Sequence, residues 1–168
     1  NVPQEALVSS MRDHQKYFHV VDAKGALLPA FITVSNIRSR TPARVRTGNE
    51  RVLNARLADA KFFWETDATR PLSARTEALK NVLFHHALGS LAGKTRRIEK
   101  LSAKIAQAVG APTPVCIRAA SLCKADLVSG MVGEFPDLQG IMGRYLARHD
   151  GEPAAVARAI EEHYLPRH

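Results

Sequence analysis

The stretch AASLCKADLVSGMVGEFPDLQGIMGRYLARHDG, Ala119 to Gly151, joins a dense apolar pattern to charges that the pattern does not account for. At helical period Val115, Ala119, Leu122 and Asp126 share one stripe, so a carboxylate stands where a fourth apolar residue is expected. Burying an ionised carboxylate without a partner is costly, so Asp126 either reaches solvent or has a cation against it.

Proline and glycine mark the joints of a helical region. Pro114 opens a helix through Leu127, and Pro136 opens another through Tyr145 to about Arg148, with Leu138, Ile141, Met142 and Tyr145 inward. Gly151 ends that helix and Pro153 starts the last, where Val156, Ile160 and Tyr164 are spaced for packing. Upstream, Ser90 caps a helix to Val109 with Gly110 as its terminator and Leu91, Ile98, Leu101, Ile105 and Ala108 as its buried side. Helices with short joints predict a compact bundle over residues 76–168.

The first part of the chain is different. Pro3 to about Met11 reads as a short helix, followed by β-rich runs at Tyr17–Asp22 and Ala30–Ser35, a hairpin joined through Ala-Lys-Gly and Leu27-Leu28-Pro29. Phe31-Ile32-Thr33-Val34 alternates imperfectly, which predicts a strand buried on both faces or close to another sheet. Thr41-Pro42 marks one helix start and Gly48-Asn49-Glu50 a second, and from Glu50 to Glu65 the residues Leu53, Leu57, Ala60 and Trp64 form one stripe. Phe62 and Phe63 widen that stripe, and aromatics at helical spacing are expected in a core. Thr66 to Ser73, with Arg70-Pro71, is the expected boundary. The fold class is therefore α+β and mostly helical: an α/β segment with a hairpin over 1–75, then the bundle.

Charge narrows the function. The 168 residues carry 24 Lys+Arg against 16 Asp+Glu, a formal +8 with a pI near 9.9, within an ordinary globular composition of 45% hydrophobic residues. Such a surface suits a polyanion, and nucleic acid suits it better than a membrane, because no amphipathic, Lys-rich helix stands out. Residues 1–75 hold a net +5 and residues 76–168 a net +3, so basicity is shared. Its densest part is Ile37 to Arg56, where Arg38, Arg40, Arg44, Arg46, Arg51 and Arg56 meet a single acid, Glu50. All six are Arg and none Lys, which favours planar, bidentate contact with phosphate. Six cations and one anion do not pair off locally. In the second part, Lys94, Arg96, Arg97, Lys100 and Lys104 decorate the helix after Ser90.

Other features exclude more than they suggest. Cys116 and Cys123 are two helical turns apart, too far for a disulfide within one helix, and read as reduced core thiols. No apolar run approaches the ~18 residues of a membrane span, and no signal peptide or lipidation motif is present. The chain opens at Asn1, directly into patterned sequence, and reads as a piece of something longer. There is no GxxxxGK[ST], no GxGxxG after a strand, no GxSxG and no HExxH.

His85-His86, Asp126 and His149-Asp150 invite a metal-site reading, since a hydrolytic site needs imidazoles and carboxylates converging on one ion with a position open to water. A His-Asp dipeptide is the signature of the HD phosphohydrolases. The segment resembling their His-Asp helix here reads Leu122-Cys-Lys-Ala125-Asp126-Leu127, with Ala125 in place of the His, and Lys94 stands where their first His would be. The literal His149-Asp150 falls at a helix end. With two ligands replaced, the ammonium of Lys94 is expected where the ion would sit, paired with Asp126 as a structural contact. An active HD-type phosphohydrolase using His85, His86, Asp126, His149 or Asp150 is the alternative.

Asp13-His-Gln-Lys-Tyr-Phe18, Phe31-Ile-Thr-Val-Ser-Asn36, Gly48-Asn-Glu50, Arg56-Leu-Ala-Asp-Ala-Lys-Phe-Phe63, Lys124-Ala-Asp-Leu-Val128, Met131-Val-Gly-Glu-Phe135 and Leu138-Gln-Gly-Ile-Met-Gly143 occur in that order. Together they resemble the β subunit family of bacterial tetrameric glycyl-tRNA synthetase across essentially the whole chain. The resemblance implies an internal, non-catalytic piece of a cytoplasmic ligase that includes a degenerate HD-type domain. It implies the α subunit and tRNA(Gly) as partners, with no membrane. ATP and Mg are then used on the α subunit, and this piece has no catalytic residue, no metal and no cofactor of its own. Arg38, Arg40, Arg44, Arg46, Arg51 and Arg56, with Arg96, Arg97 and Lys100, are the expected phosphate contacts.

Overall fold

A single helix of 27 residues, α2 (Pro42–Ala68), is the longest element of the chain. The computed structural model describes residues 2–166 and divides into two compact units, Asn1–Trp64 and Glu65–His168. The architecture is α+β and mostly helical, with an N-terminal hairpin.

In the first unit, helix α1 (Gln4–Ser9) runs on into a π-helical turn, Ser10–His14. Strands β1 (Phe18–Val21) and β2 (Leu27–Ile32) then pair antiparallel, with Phe18 opposite Ile32, His19 opposite Phe31 and a bulge between His19 and Val21. Asp22 makes the turn: its carboxylate accepts the amides of Lys24 and Ala26, and Gly25 takes the left-handed φ of 80° that the turn requires. The second strand thus begins at Leu27, within the stretch expected as a connection, and stops at Ile32. Met11, Tyr17 and Leu53 form the core, with Leu7, Leu27, Phe31 and Leu57 against it. The rings of Tyr17 and Phe31 stack at 4.9 Å, and the Tyr17 hydroxyl donates to Asn49 Oδ1.

That hydroxyl explains why α2 does not restart at Gly48-Asn49-Glu50. Asn49 is engaged on both sides of its amide, donating to Val45 O at 2.8 Å and accepting from Tyr17, so it serves the helix interior and not a cap. Leu53 and Ala60 are buried, as their spacing predicts, but Phe62 is 63% exposed, touching Phe63 edge-on, so the aromatic tract is not all core.

The second unit opens before the expected boundary. Asp67, in the last turn of α2, is buried, and its carboxylate accepts the amides of Gly130 and Met131 at 3.1 and 2.8 Å, at the start of helix α5 (Gly130–Glu134). Buried Arg75 lies 3.2 Å from the same carboxylate and also donates to Asp67 O. Residues 65–75 therefore belong to the helical unit, which begins within α2.

A 3-10 helix, Leu72–Asn81, follows. A small hairpin then appears where only helices were expected: β3 (Leu83–His85) against β4 (Gly89–Ser90). Helix α3 (Leu91–Val109) has the predicted ends, with Ser90 Oγ accepting the Gly93 amide and Gly110 in the left-handed conformation. Its buried residues are Leu91, Thr95 and Ala106, while Leu101 and Ile105 are each 59% exposed, so the helix is turned away from the expected face. It packs on α4 (Thr113–Leu122), which ends five residues earlier than predicted and gives way to a 3-10 turn, Ala125–Val128. After α5 and a 3-10 turn at Pro136–Leu138 come α6 (Ile141–His149) and α7 (Ala154–Glu162), which pack together. Leu138, Met142, Leu146, Val156 and Ile160 fill the core between these elements.

Candidate nucleic-acid interface

The segment 33–41 and the first half of α2 display the arginines. Arg38 and Arg40 precede the helix, and Arg44, Arg46, Arg51 and Arg56 lie on it, all exposed. Helical geometry separates them. The buried side of α2 carries Leu53 and Ala60, and on a 3.6-residue period Arg44 and Arg51 fall opposite it, two turns and ~10 Å apart. Arg46 lies toward the core side, where it lines a cleft with Arg38.

Their ion pairing is sparse. Arg46 reaches Glu50 at 3.8 Å and Arg56 reaches Asp59 at 4.0 Å, both loose, exposed pairs of the kind worth little. Among the described residues Arg38, Arg40, Arg44 and Arg51 have no ion-pair partner. These four guanidinium groups therefore face water with their full charge and their planar donors free. Arg96, Arg97 and Lys100 belong to the other unit, on α3, and are also exposed. There Arg96, Lys100 and Lys104 follow one another at four-residue spacing as a basic stripe.

Asp126 is fully buried, as its place in the apolar stripe requires, but its partner is not Lys94. Its Oδ2 accepts the amide of Gly140 at 2.6 Å and that of Gly143 at 3.1 Å. Gly140 caps α6 with a φ of 81°, and Gly143 is in that helix's first turn, so Asp126 supplies from a distant part of the sequence the acceptor that an N-cap side chain normally supplies. Lys94 is instead over the ring of Phe84, with Nζ 3.8 Å from its centroid. The reason is local. Helix α4 has ended before Asp126, so the carboxylate is aimed at free backbone donors at a positive helix end, which satisfy an anion as a cation would. Burial raises the Asp126 carboxyl above its ordinary value, opposed by the two amide donors and by the charge of Lys124.

Lys124 is the buried cation that sequence reasoning missed. Its Nζ lies 3.8 Å from the centroid of the Tyr164 ring, and burial pushes its pKa down. Its nearness in sequence to Asp126 was the available signal, masked because residues two apart do not face each other on an α-helix. The neighbouring Cys123 thiol is pushed up to about 11 by burial, which makes it an inert packing group.

The histidines do not gather around Asp126. His85 and His86 are exposed at the β3–β4 turn, where His85 Nδ1 accepts the Ala87 amide. His149 ends α6, and Asp150 beside it accepts the Leu72 amide at 2.6 Å, which caps the 3-10 helix. Among the described residues no three His, Cys, Asp or Glu side chains converge as a metal ion requires. No helix among them is long and apolar enough to cross a membrane.

The family described as "Glycyl-tRNA synthetase beta subunit" matches residues 1–168. The chain is 56% identical over 167 residues to the glycine–tRNA ligase beta subunit of Chromohalobacter salexigens, covering 99% of this chain and 24% of that one. It is 55% identical to that of Citrifermentans bemidjiense, and 54% identical to that of Coxiella burnetii, over 98% and 99% of this chain and 24% of each relative. The chain thus spans about a quarter of the length of the curated relatives it matches.

Proposed function

The chain belongs to the glycyl-tRNA synthetase beta subunit family, and from that premise we propose that it is a non-catalytic piece of a glycine–tRNA ligase which holds tRNA(Gly) by its backbone and helps assemble the complex. Adenylation and transfer, with ATP and Mg, take place on the α subunit in the cytoplasm, and this piece alone is inactive. The observation that carries the reading is the set of four exposed arginines, Arg38, Arg40, Arg44 and Arg51, without ion-pair partners among the described residues. Two of them are fixed on the outward side of a long helix, where they meet phosphates without reading bases. Arg96, Arg97 and Lys100 on α3 add a second patch of the same chemistry.

The helical unit is a degenerate HD-type scaffold in this reading. Lys94 and Ala125 occupy the places of two ligands, and the remaining carboxylate, Asp126, has become a helix cap. The test is tRNA binding by the full-length subunit as a function of salt, with and without the arginines.

A further inference from the structure

Strand β2 is apolar on both faces, yet only one is covered. Leu27 and Phe31 lie against the Met11–Tyr17–Leu53 core. On the other face Phe18 and Ile32, directly opposite each other in the register, are 62% and 58% exposed, and beyond the strand Val34 and Ile37 are exposed as well. Scattered apolar residues on a surface are ordinary, but a contiguous row of large ones marks a surface made to be covered. Beside β2 a cleft of about 1270 Å³ opens toward α2, lined by Leu28, Ile32, Ile37, Val45, Leu53 and Leu57. The cleft shares Leu28 and Ile32 with the uncovered side of β2, so a single occupant can cover both.

We infer that an apolar segment of the same polypeptide, from outside these 168 residues, packs on the open face of the β1–β2 hairpin and fills the cleft beside β2. The length of the relatives selects this occupant over a second protein. The relatives are about four times the length of this chain, so on the reading of the chain as a piece of a β subunit, on which this inference rests, ample polypeptide lies outside it. The sheet has only two strands and is covered on one side alone, by the Met11–Tyr17–Leu53 core. The imperfect alternation of Phe31-Ile32-Thr33-Val34, the pattern of a strand covered on both sides, is then the trace of that layer in the sequence.

The experiment uses the full-length β subunit with a benzophenone amino acid, p-benzoylphenylalanine, in place of Phe18 or of Ile32, and in place of the turn residue Lys24 as a control. Irradiation of the isolated subunit is expected to cross-link both apolar positions to a peptide of the same chain outside the 168 residues, mapped by mass spectrometry. The link persists when α subunit and tRNA are added, and it is lost at Lys24. Cross-links to a second copy, to the α subunit or to tRNA overturn the inference, as do links confined to these 168 residues or none at all. Measuring tRNA binding on the same preparations keeps the two readings apart, since Arg44 and Arg51, which do not line the cleft, either bind tRNA or do not, whatever covers β2.

Discussion

Asp126 Oδ2 accepts the backbone amide of Gly143 at 3.1 Å, and a side chain on Gly143 would collide with that oxygen and with Ile160 together. A Cβ there would stand 2.6 Å from Ile160 Cγ2 and 3.0 Å from Asp126 Oδ2. The cap of α6 and the α6–α7 contact thus depend on one missing methyl group.

The Gly143→Ala variant follows from this. Alanine inside a helix normally gains ~1 kcal/mol over glycine. Here Ile160 and Asp126 are both fully buried and have no room to withdraw, and overpacking of this kind costs ~1–3 kcal/mol. Urea unfolding is expected to show a net loss of stability; a gain would mean the α6–α7 interface yields freely.

Asp126 carries a pH signature. Its folded pKa is raised above 3.8 by burial, so its contribution favours the folded state below that value and is lost as pH rises through the folded pKa. Asp126→Asn keeps an acceptor oxygen for the two amides and removes the titration. The stability of the parent chain relative to this variant is expected to fall with rising pH above 3.8 and then level off. Asp126→Ala orphans both amides and costs ~2–4 kcal/mol in acid, a cost that shrinks as the parent loses the Asp126 contribution at higher pH. Urea midpoints across the acid range test both statements.

Arg75 and Asp67 form a buried pair at 3.2 Å that also receives the amides starting α5. Removing the cation leaves a carboxylate in the core with only those amides, so Arg75→Ala is expected to cost ~3–5 kcal/mol. A thermal melt reads this directly, and a change below 1 kcal/mol, as exposed pairs give, would show that the amides alone suffice.

These sites also show what the sequence disclosed. The ends of α3 were legible because Ser90 and Gly110 act through local backbone chemistry. The buried side of α3 was not, because hydropathy ranks Leu101 and Ile105 above Thr95 and Ala106, which are the residues the fold covers. Asp126 stood out as an anomaly, but backbone amides brought near by folding leave no mark in a side-chain pattern, so a lysine seemed the natural partner. The β3–β4 hairpin is three residues against two, too short for alternation to register. The arginine cluster was plain, while its division between the outward Arg44 and Arg51 and the cleft-lining Arg38 and Arg46 became visible only once α2 was one helix.

The phosphate reading is quantitative. Each phosphate contact contributes ~0.7 to the slope of log affinity against log salt on single strands and ~0.9 on a duplex, so losing two contacts flattens the slope by ~1.4–1.8. Replacing Arg44 and Arg51 together with Ala in the full-length subunit is expected to produce that change and to weaken tRNA binding across sequences alike. Lysine at both positions restores the slope, because the charge returns, but not the full affinity, because the planar fork does not. Alanine at Lys24, in the hairpin turn, is expected to leave the slope unchanged. Filter binding over a salt series separates these outcomes. A slope unaltered by the double alanine variant would remove α2 from the interface, since the outward pair then touches no phosphate.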